Sequence, residues 1–168
     1  MAERKRIVVA GGGVAAIEVA LTLQELAAEL VDVQLVAPGP KFRYRPLSVA
    51  EPFGLGEVAS FELSDLAARA GATFTLGAIT AVDSSAHLAF TQEGHVLEYD
   101  ALLLACGAVP RVVVHGALTF RGPEDIPRVR TLLDHLDAGD VTRVVVAVPH
   151  GAAWSLPAYE LALMLGPR

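Results

Sequence analysis

Three small residues at fixed spacing carry the clearest chemical signal in this chain: Gly11, Gly13 and Ala16, in the run Gly11-Gly12-Gly13-Val14-Ala15-Ala16. A β-branched stretch, Arg6 to Ala10, stops at them, and a helical pattern starts directly after them. In that setting Gly-x-Gly-x-x-Ala is a dinucleotide-binding fingerprint. Gly11 permits the tight turn, Gly13 lets a pyrophosphate approach the backbone, and Ala16 is small enough for helix to pack on strand. Val14, Ala15 and Ala16 stand at the positive end of the helix dipole, where an anion is favoured. A glycine turn that only packs is the competing reading of the same residues.

The fingerprint ordinarily places an acid at the end of the second strand, to bind the adenosine ribose. Here that position falls at about Ala37, between Val36 and Pro38, and no acid is present. A helix terminus carries only about half a positive charge, so a pyrophosphate needs more cation nearby. Lys41, Arg43 and Arg45 are the available supply; the alternative is a solvated basic loop.

These residues need a strand-helix-strand frame, and the pattern supplies one. Val14 to about Leu30 has good helix formers and no Gly or Pro, with apolar residues most of the way round, as in a helix sandwiched between layers. Val33 to Ala37 is a second strand, closed by Pro38-Gly39-Pro40, and the βαβ crossover implies a parallel sheet. Residues 38 to 60 read as a long loop of the kind that is more often functional than idle. Glu62 to Ala70 is a short helix stopped by Gly71. Thr73–Leu76, Ala78–Val82, His87–Thr91 and Val96–Glu98 read as short strands of an antiparallel meander, and Ala101–Ala105 as a buried parallel strand. Gly122-Pro123-Glu124-Asp125 opens a helix that Gly139 ends, Arg143–Val148 reads as another buried strand, and Pro157–Leu165 as a helix. The fold class expected is α/β: a Rossmann-like parallel sheet with helices on both faces and an inserted antiparallel β-meander.

Composition removes other classes. The chain has 168 residues, 13 Lys+Arg against 19 Asp+Glu, and a net charge of −6. That balance does not neutralise a phosphate backbone, which argues against nucleic acid as a partner. No apolar run approaches the ~18 residues of a membrane span. The basic N-terminus is followed by a strand and glycines rather than a secretory apolar core, so a cytoplasmic protein is expected. One cysteine, Cys106, excludes an internal disulfide or a Cys-x-x-Cys pair. Five histidines at 87, 95, 115, 135 and 150 include no pair at helical ligand spacing, so no metal is expected. With 53% apolar and 19% charged residues, apolar surface is in excess.

Three further segments carry a resemblance. Arg43-Tyr44-Arg45-Pro46-Leu47-Ser48 resembles the flavin-contacting segment after the second strand in two-dinucleotide-binding-domain flavoproteins. Tyr99-Asp100-Ala101-Leu102-Leu103-Leu104-Ala105-Cys106-Gly107-Ala108-Val109-Pro110 is similar to their Tyr-Asp-x-Leu-x-x-Ala-Thr-Gly-x-x-Pro motif. Gly77 to Asp83, centred on Ile79, resembles the segment whose backbone meets the adenine. With the glycine fingerprint these occur in the order found in pyridine nucleotide-disulfide oxidoreductase-like flavoproteins, nearest the sulfide:quinone oxidoreductase and type II NADH dehydrogenase branch. The resemblance implies FAD as cofactor, with Gly11, Gly13, Val14, Ala15, Ala16, Ala37, Pro38, Lys41, Arg45, Pro46, Ile79, Ala105, Cys106 and Gly107 around it. It implies residues 1–140 as the FAD-binding portion and 141–168 as the first strand and helix of a second, truncated dinucleotide-binding-like domain.

Departures from the family pattern limit the activity expected. Cys106 replaces Thr and reads as a small buried thiol without a resolving partner. Val49 stands where ferredoxin reductase relatives carry Lys. After Val148 the chain runs Pro149-His150-Gly151-Ala152-Ala153-Trp154-Ser155 instead of a second Gly-x-Gly-x-x-Gly, with no reactive cysteine in the turn. His150 and Trp154 are pocket or loop-anchor residues. Three readings follow: the FAD-binding portion of a quinone- or NAD(P)H-linked oxidoreductase, incomplete as a catalyst alone; a degenerate binding or regulatory module; or a small NAD(P)-binding enzyme, disfavoured without an acid/base pair. The apolar surplus is then assigned to contacts with a missing C-terminal domain or with a second copy.

Overall fold

The computed structural model describes residues 3–109, 111–151 and 155–166. The chain forms two compact units, Met1–Arg43 with Ser60–Ala108, and Tyr44–Ala59 with Val109–Arg168.

In the first unit, β1 (Lys5–Ala10), β2 (Val31–Ala37), β5 (Thr73–Leu76) and β9 (Ala101–Leu104) form one sheet in the order β5-β2-β1-β9, every pair parallel. The sheet is buried on both faces at its centre, which explains the apolar runs of residues 7–10 in β1 and 35–37 at the end of β2. Ile7 and Val9 pack with Val33 and Leu35 under α1 (Val14–Ala27) and α2 (Leu63–Arg69). Ala16 and Ala20, one helical turn apart and fully buried, let α1 approach the strands closely. On the opposite face Val8 and Val36 pack against Ala89, Leu97 and Tyr99. Those residues belong to the antiparallel meander β6 (Ile79–Asp83), β7 (Leu88–Thr91) and β8 (Val96–Glu98), with Tyr99 directly after it. A small ribbon, β3 (Lys41–Arg43) against β4 (Ser60–Glu62), carries the ring pair Phe42 and Phe61, 6.4 Å apart.

Several details differ from expectation. Helices cover one face of the sheet and the meander covers the other, so the two-sided cover is met by different kinds of element. Thr73–Leu76 leaves the meander and joins the parallel sheet, because its backbone pairs with β2 from Gln34 to Ala37. The helix α1 is not sandwiched: only Ala16 and Ala20 are buried, while Leu21 and Leu26 stay exposed. The strand β9 is an edge strand, with Leu104 exposed. Its N-terminal end is fixed by Asp100, which accepts the Arg6 backbone N–H at 2.8 Å and the Lys5 ammonium at 3.1 Å. Those bonds, the backbone one foremost, hold the Asp100 carboxyl below its ordinary range.

In the second unit, 3-10 turns at Arg45–Val49 and Glu51–Phe53 replace part of the expected loop, and Pro46 and Pro52 suit their first turns. The helix α3 (Ile126–Asp137) follows a 3-10 turn at Pro123–Asp125 and buries Ile126, Val129 and Leu133. Asp125, fully buried, accepts the Arg121 guanidinium through both carboxylate oxygens at 2.9 Å, and also the Arg121 backbone N–H. The helix α4 is Leu156–Leu165, with no buried residue.

The expected strand Arg143–Val148 has no ladder partner among the described residues. Its β-branched residues favour an extended backbone, but a strand exists only when a neighbour takes its N–H and C=O groups. Val144 and Val146 on one side of this run, with Thr142 before it, instead line a groove of about 680 Å³ with Leu136, Ala162 and Leu165. No helix among the described residues is long and apolar enough to cross a membrane.

Candidate functional site

The C-terminal ends of parallel strands share one edge of the sheet, and ligands of open α/β sheets bind outside that edge. In the first unit the glycine loop, Ile79 and Cys106 follow strand ends on it, and Ala37 is itself the last residue of β2. Gly11 donates its N–H to Val36 at 2.8 Å, and Ala105 donates to Ala10 at 2.8 Å, tying β2, β1 and β9 together there.

The three glycines differ in what surrounds them. Gly11 has φ +146°, and a Cβ there would lie 2.7 Å from the Ala105 carbonyl carbon and nearer still to its oxygen. A Cβ on Gly12 would lie 2.7 Å from Leu63 Cδ1 and 3.0 Å from Ala37 Cβ. Gly13 has an ordinary extended backbone, φ −94° and ψ −174°, and nothing lies within 4 Å of where its Cβ would be. The first two serve packing. Only the third leaves open room.

That room faces the start of α1. The first intrahelical bond runs from Ile17 N–H to Gly13 at 3.2 Å, and no side chain caps the helix. The N–H groups of Val14, Ala15 and Ala16 are thus left without intrahelical acceptors, as at any helix start. No acid occupies the first turn to cancel the dipole. A phosphate group would satisfy those donors and also gain from the positive end of the helix dipole, which a neutral acceptor would not.

Along the same edge the second strand ends at Ala37, which is buried, and the exposed Pro38 follows, so no carboxylate stands at the ribose position. Gly77 donates its N–H to the Ala37 carbonyl at 2.8 Å, which brings Ile79 near the end of β2. Ala78 turns both its polar groups toward the β7–β8 turn: its carbonyl accepts from Gln92 N–H at 2.8 Å, and its N–H donates to Glu93 at 3.1 Å. Thr91, opposite Ile79, sends its N–H to His95. By strand alternation Ile79 therefore presents its own N–H and C=O on the outer edge of β6, and β6 is the edge strand of its sheet. A donor and an acceptor side by side match the N1 and exocyclic amine of adenine.

The expected cations fare less well. Lys41 lies 3.3 Å from Glu62, both half exposed, so its charge is already engaged. Arg45 and Pro46 begin a 3-10 turn of the second unit, where the Ser48 hydroxyl donates to the Arg45 carbonyl at 2.7 Å. Val49, where ferredoxin reductase relatives are expected to carry Lys, is buried. Cys106 is exposed, against the expectation of a buried thiol; it sits two residues past the last residue of β9, with its thiol 3.5 Å from the Ala10 carbonyl oxygen. Gly107 turns the chain away there with φ +72°. His150 is exposed, whereas Trp154 and Pro110 lie outside the described residues. Three residues outside the sequence motifs also shape this edge: Gly12, which makes room for Leu63, and Glu93, which binds the Ala78 N–H. Gly12 was legible in principle, because three consecutive glycines exceed what the fingerprint itself requires.

Residues 5–147 match the family model described as pyridine nucleotide-disulphide oxidoreductase. The chain belongs to that family. It is 30% identical to the sulfide-quinone reductase of Aquifex aeolicus (strain VF5) over 169 aligned positions, which cover 96% of this chain and 38% of the relative. The crystal structure of the sulfide:quinone oxidoreductase from Aquifex aeolicus superposes with a TM-score of 0.81 at 28% identity, again over 96% of this chain and 38% of that one. NADH:rubredoxin oxidoreductase from Clostridium acetobutylicum shares the fold at 15% identity, with a TM-score of 0.62 over 96% of this chain and 42% of that one. The chain thus spans well under half the length of the relatives it matches.

Proposed function

We propose that this chain is the FAD-binding portion of a flavin-dependent oxidoreductase, quinone- or NAD(P)H-linked. The observation that carries the proposal is the contrast within the glycine loop: Gly11 and Gly12 are fixed by packing, while Gly13 opens a cradle onto uncapped helix N–H groups. FAD, when bound, supplies the redox chemistry through its isoalloxazine ring. The chain's own residues bind and orient: Val14, Ala15 and Ala16 donate to phosphate, and Ile79 offers its backbone pair to adenine. Residues 141–168 fit the start of a second dinucleotide-binding-like portion, and a cytoplasmic setting fits a chain with a single, exposed cysteine. No residue is assigned as a catalytic acid or base.

A specific pair of observations favours a second reading, a binding module without redox activity: Ala37 supplies no ribose acid, and Lys41 is engaged by Glu62. Titration of the purified protein with FAD, followed by flavin fluorescence, separates the two. Saturable binding that Gly13→Asp abolishes supports the first reading, because the new carboxylate opposes the pyrophosphate while the backbone at position 13 accepts any residue. A colourless protein indifferent to FAD overturns it.

A further inference from the structure

The adenine end of the site depends on Ile79 facing outward, and nothing in Ile79 itself enforces that. Its side chain packs partly against the cluster of Val8, Val36, Ala89 and Leu97, which anchors the residue but leaves the orientation of its backbone edge to its neighbours. The preceding residue decides it. In a regular antiparallel pair Ala78 would exchange two backbone bonds with the residue opposite. Gln92 provides one of these, and the second bond of Ala78 goes to a side chain, the Glu93 carboxylate. The β-turn that places this side chain is closed by Gly94, with φ +89°, whose N–H donates to Thr91 at 3.1 Å. The carboxylate has room only because position 77 is glycine: a Cβ there would lie 2.7 Å from Glu93 Oε2 and 3.2 Å from Thr91 Cβ.

We propose that Glu93 is a positioning residue for the adenine: by holding the Ala78 N–H it locks the strand start so that Ile79 presents its donor and acceptor outward. The inference rests on the FAD reading above. It assigns Glu93 no contact with the ligand. It also gives Gly77 a reason, as the residue that makes way for the carboxylate.

The test uses the full chain, with FAD affinity from flavin fluorescence and displacement of bound FAD by ADP or by inosine diphosphate. The inosine base carries a carbonyl in place of the amine and an N–H at N1, so it mismatches both groups of Ile79. From wild-type protein, ADP should displace FAD at lower concentration than inosine diphosphate does. Glu93→Ala should weaken FAD about tenfold, the usual scale for losing a hydrogen bond to a charged group, and should narrow the ADP preference. Glu93→Gln keeps an acceptor oxygen and should restore both. A Glu93→Ala protein with unchanged affinity and preference overturns the inference, and so does weakened affinity with the ADP preference intact, which would mean mere loss of stability. Wild-type protein that takes up no FAD overturns the parent reading instead, and the inference with it.

Discussion

Replacing Gly11 and Gly13 by alanine, one at a time, separates what the fold requires of the glycine loop from what a ligand requires. At Gly11 the added methyl meets the Ala105 backbone at 2.7 Å or less, atoms held by the β1–β9 pairing rather than the free end of a side chain. Overpacking of this kind costs about 1–3 kcal/mol. The backbone at φ +146° adds about 1–3 kcal/mol more for a residue with a Cβ. A total of about 4 kcal/mol approaches the whole stability of a marginal domain, ~5–15 kcal/mol. For a chain of this size about 2–4 °C of Tm is lost per kcal/mol, so Gly11→Ala should melt roughly 10–15 °C lower. At Gly13 the backbone is already extended and the space is empty, so the unfolded-state gain of alanine, up to ~1 kcal/mol, and its poorer fit at a helix N-cap offset each other, and Tm should stay within about 4 °C of wild type. Its methyl instead occupies the approach of a phosphate to the helix N–H groups. Losing one charge-assisted bond there weakens FAD about 10- to 100-fold. Thermal melts by circular dichroism, with and without FAD, read both effects. A Gly11→Ala melt within 2 °C of wild type would refute the packing argument, and wild-type affinity in Gly13→Ala would refute the phosphate argument.

Two further outcomes test other parts of the molecule. The Asp125 carboxyl is held below its ordinary value of 3.8, chiefly by the Arg121 guanidinium, with the backbone bond assisting and burial opposing; a lowered folded pKa gives stability that is present above 3.8 and lost as pH falls through the folded value. Asp125→Asn should therefore cost about 1–3 kcal/mol at pH 7 and flatten the loss of Tm below pH 4, and an unchanged acid limb would mean that this pair does not contribute. Cys106, exposed beside the glycine loop, should react with iodoacetamide in the ligand-free chain and be protected by FAD, as peptide mass spectrometry would show; equal labelling with saturating FAD would place the ligand elsewhere.

The local frame was readable because its signals are short-range. The strand-glycine-helix order, the Pro38-Gly39-Pro40 stop and the meander turns each depend on neighbours in sequence, and each appears where expected. Strand periodicity is the same in parallel and antiparallel partners, so the sequence groups Thr73–Leu76 with the meander, and only the register with β2 places it in the parallel sheet. Arg143–Val148 has strong β-propensity, yet propensity does not supply a partner. Cys106 was expected to be buried from its side-chain type, whereas its exposure follows from standing beyond a strand end. Glu93 was invisible for a different reason. A polar residue in a turn has many uses, and only its bond to Ala78, fifteen residues away, distinguishes this one.

The run Arg143–Val148 has the composition of a steric-zipper segment: six residues, four of them valine, with no proline and no acid. Its backbone lacks a ladder partner among the described residues, and Val145, 81% exposed, points away from the groove lined by Val144 and Val146. An unpaired valine-rich backbone of this kind is a template on which a second copy can add a strand. A lysine at position 145 would act as a gatekeeper against that route while leaving the groove lining untouched.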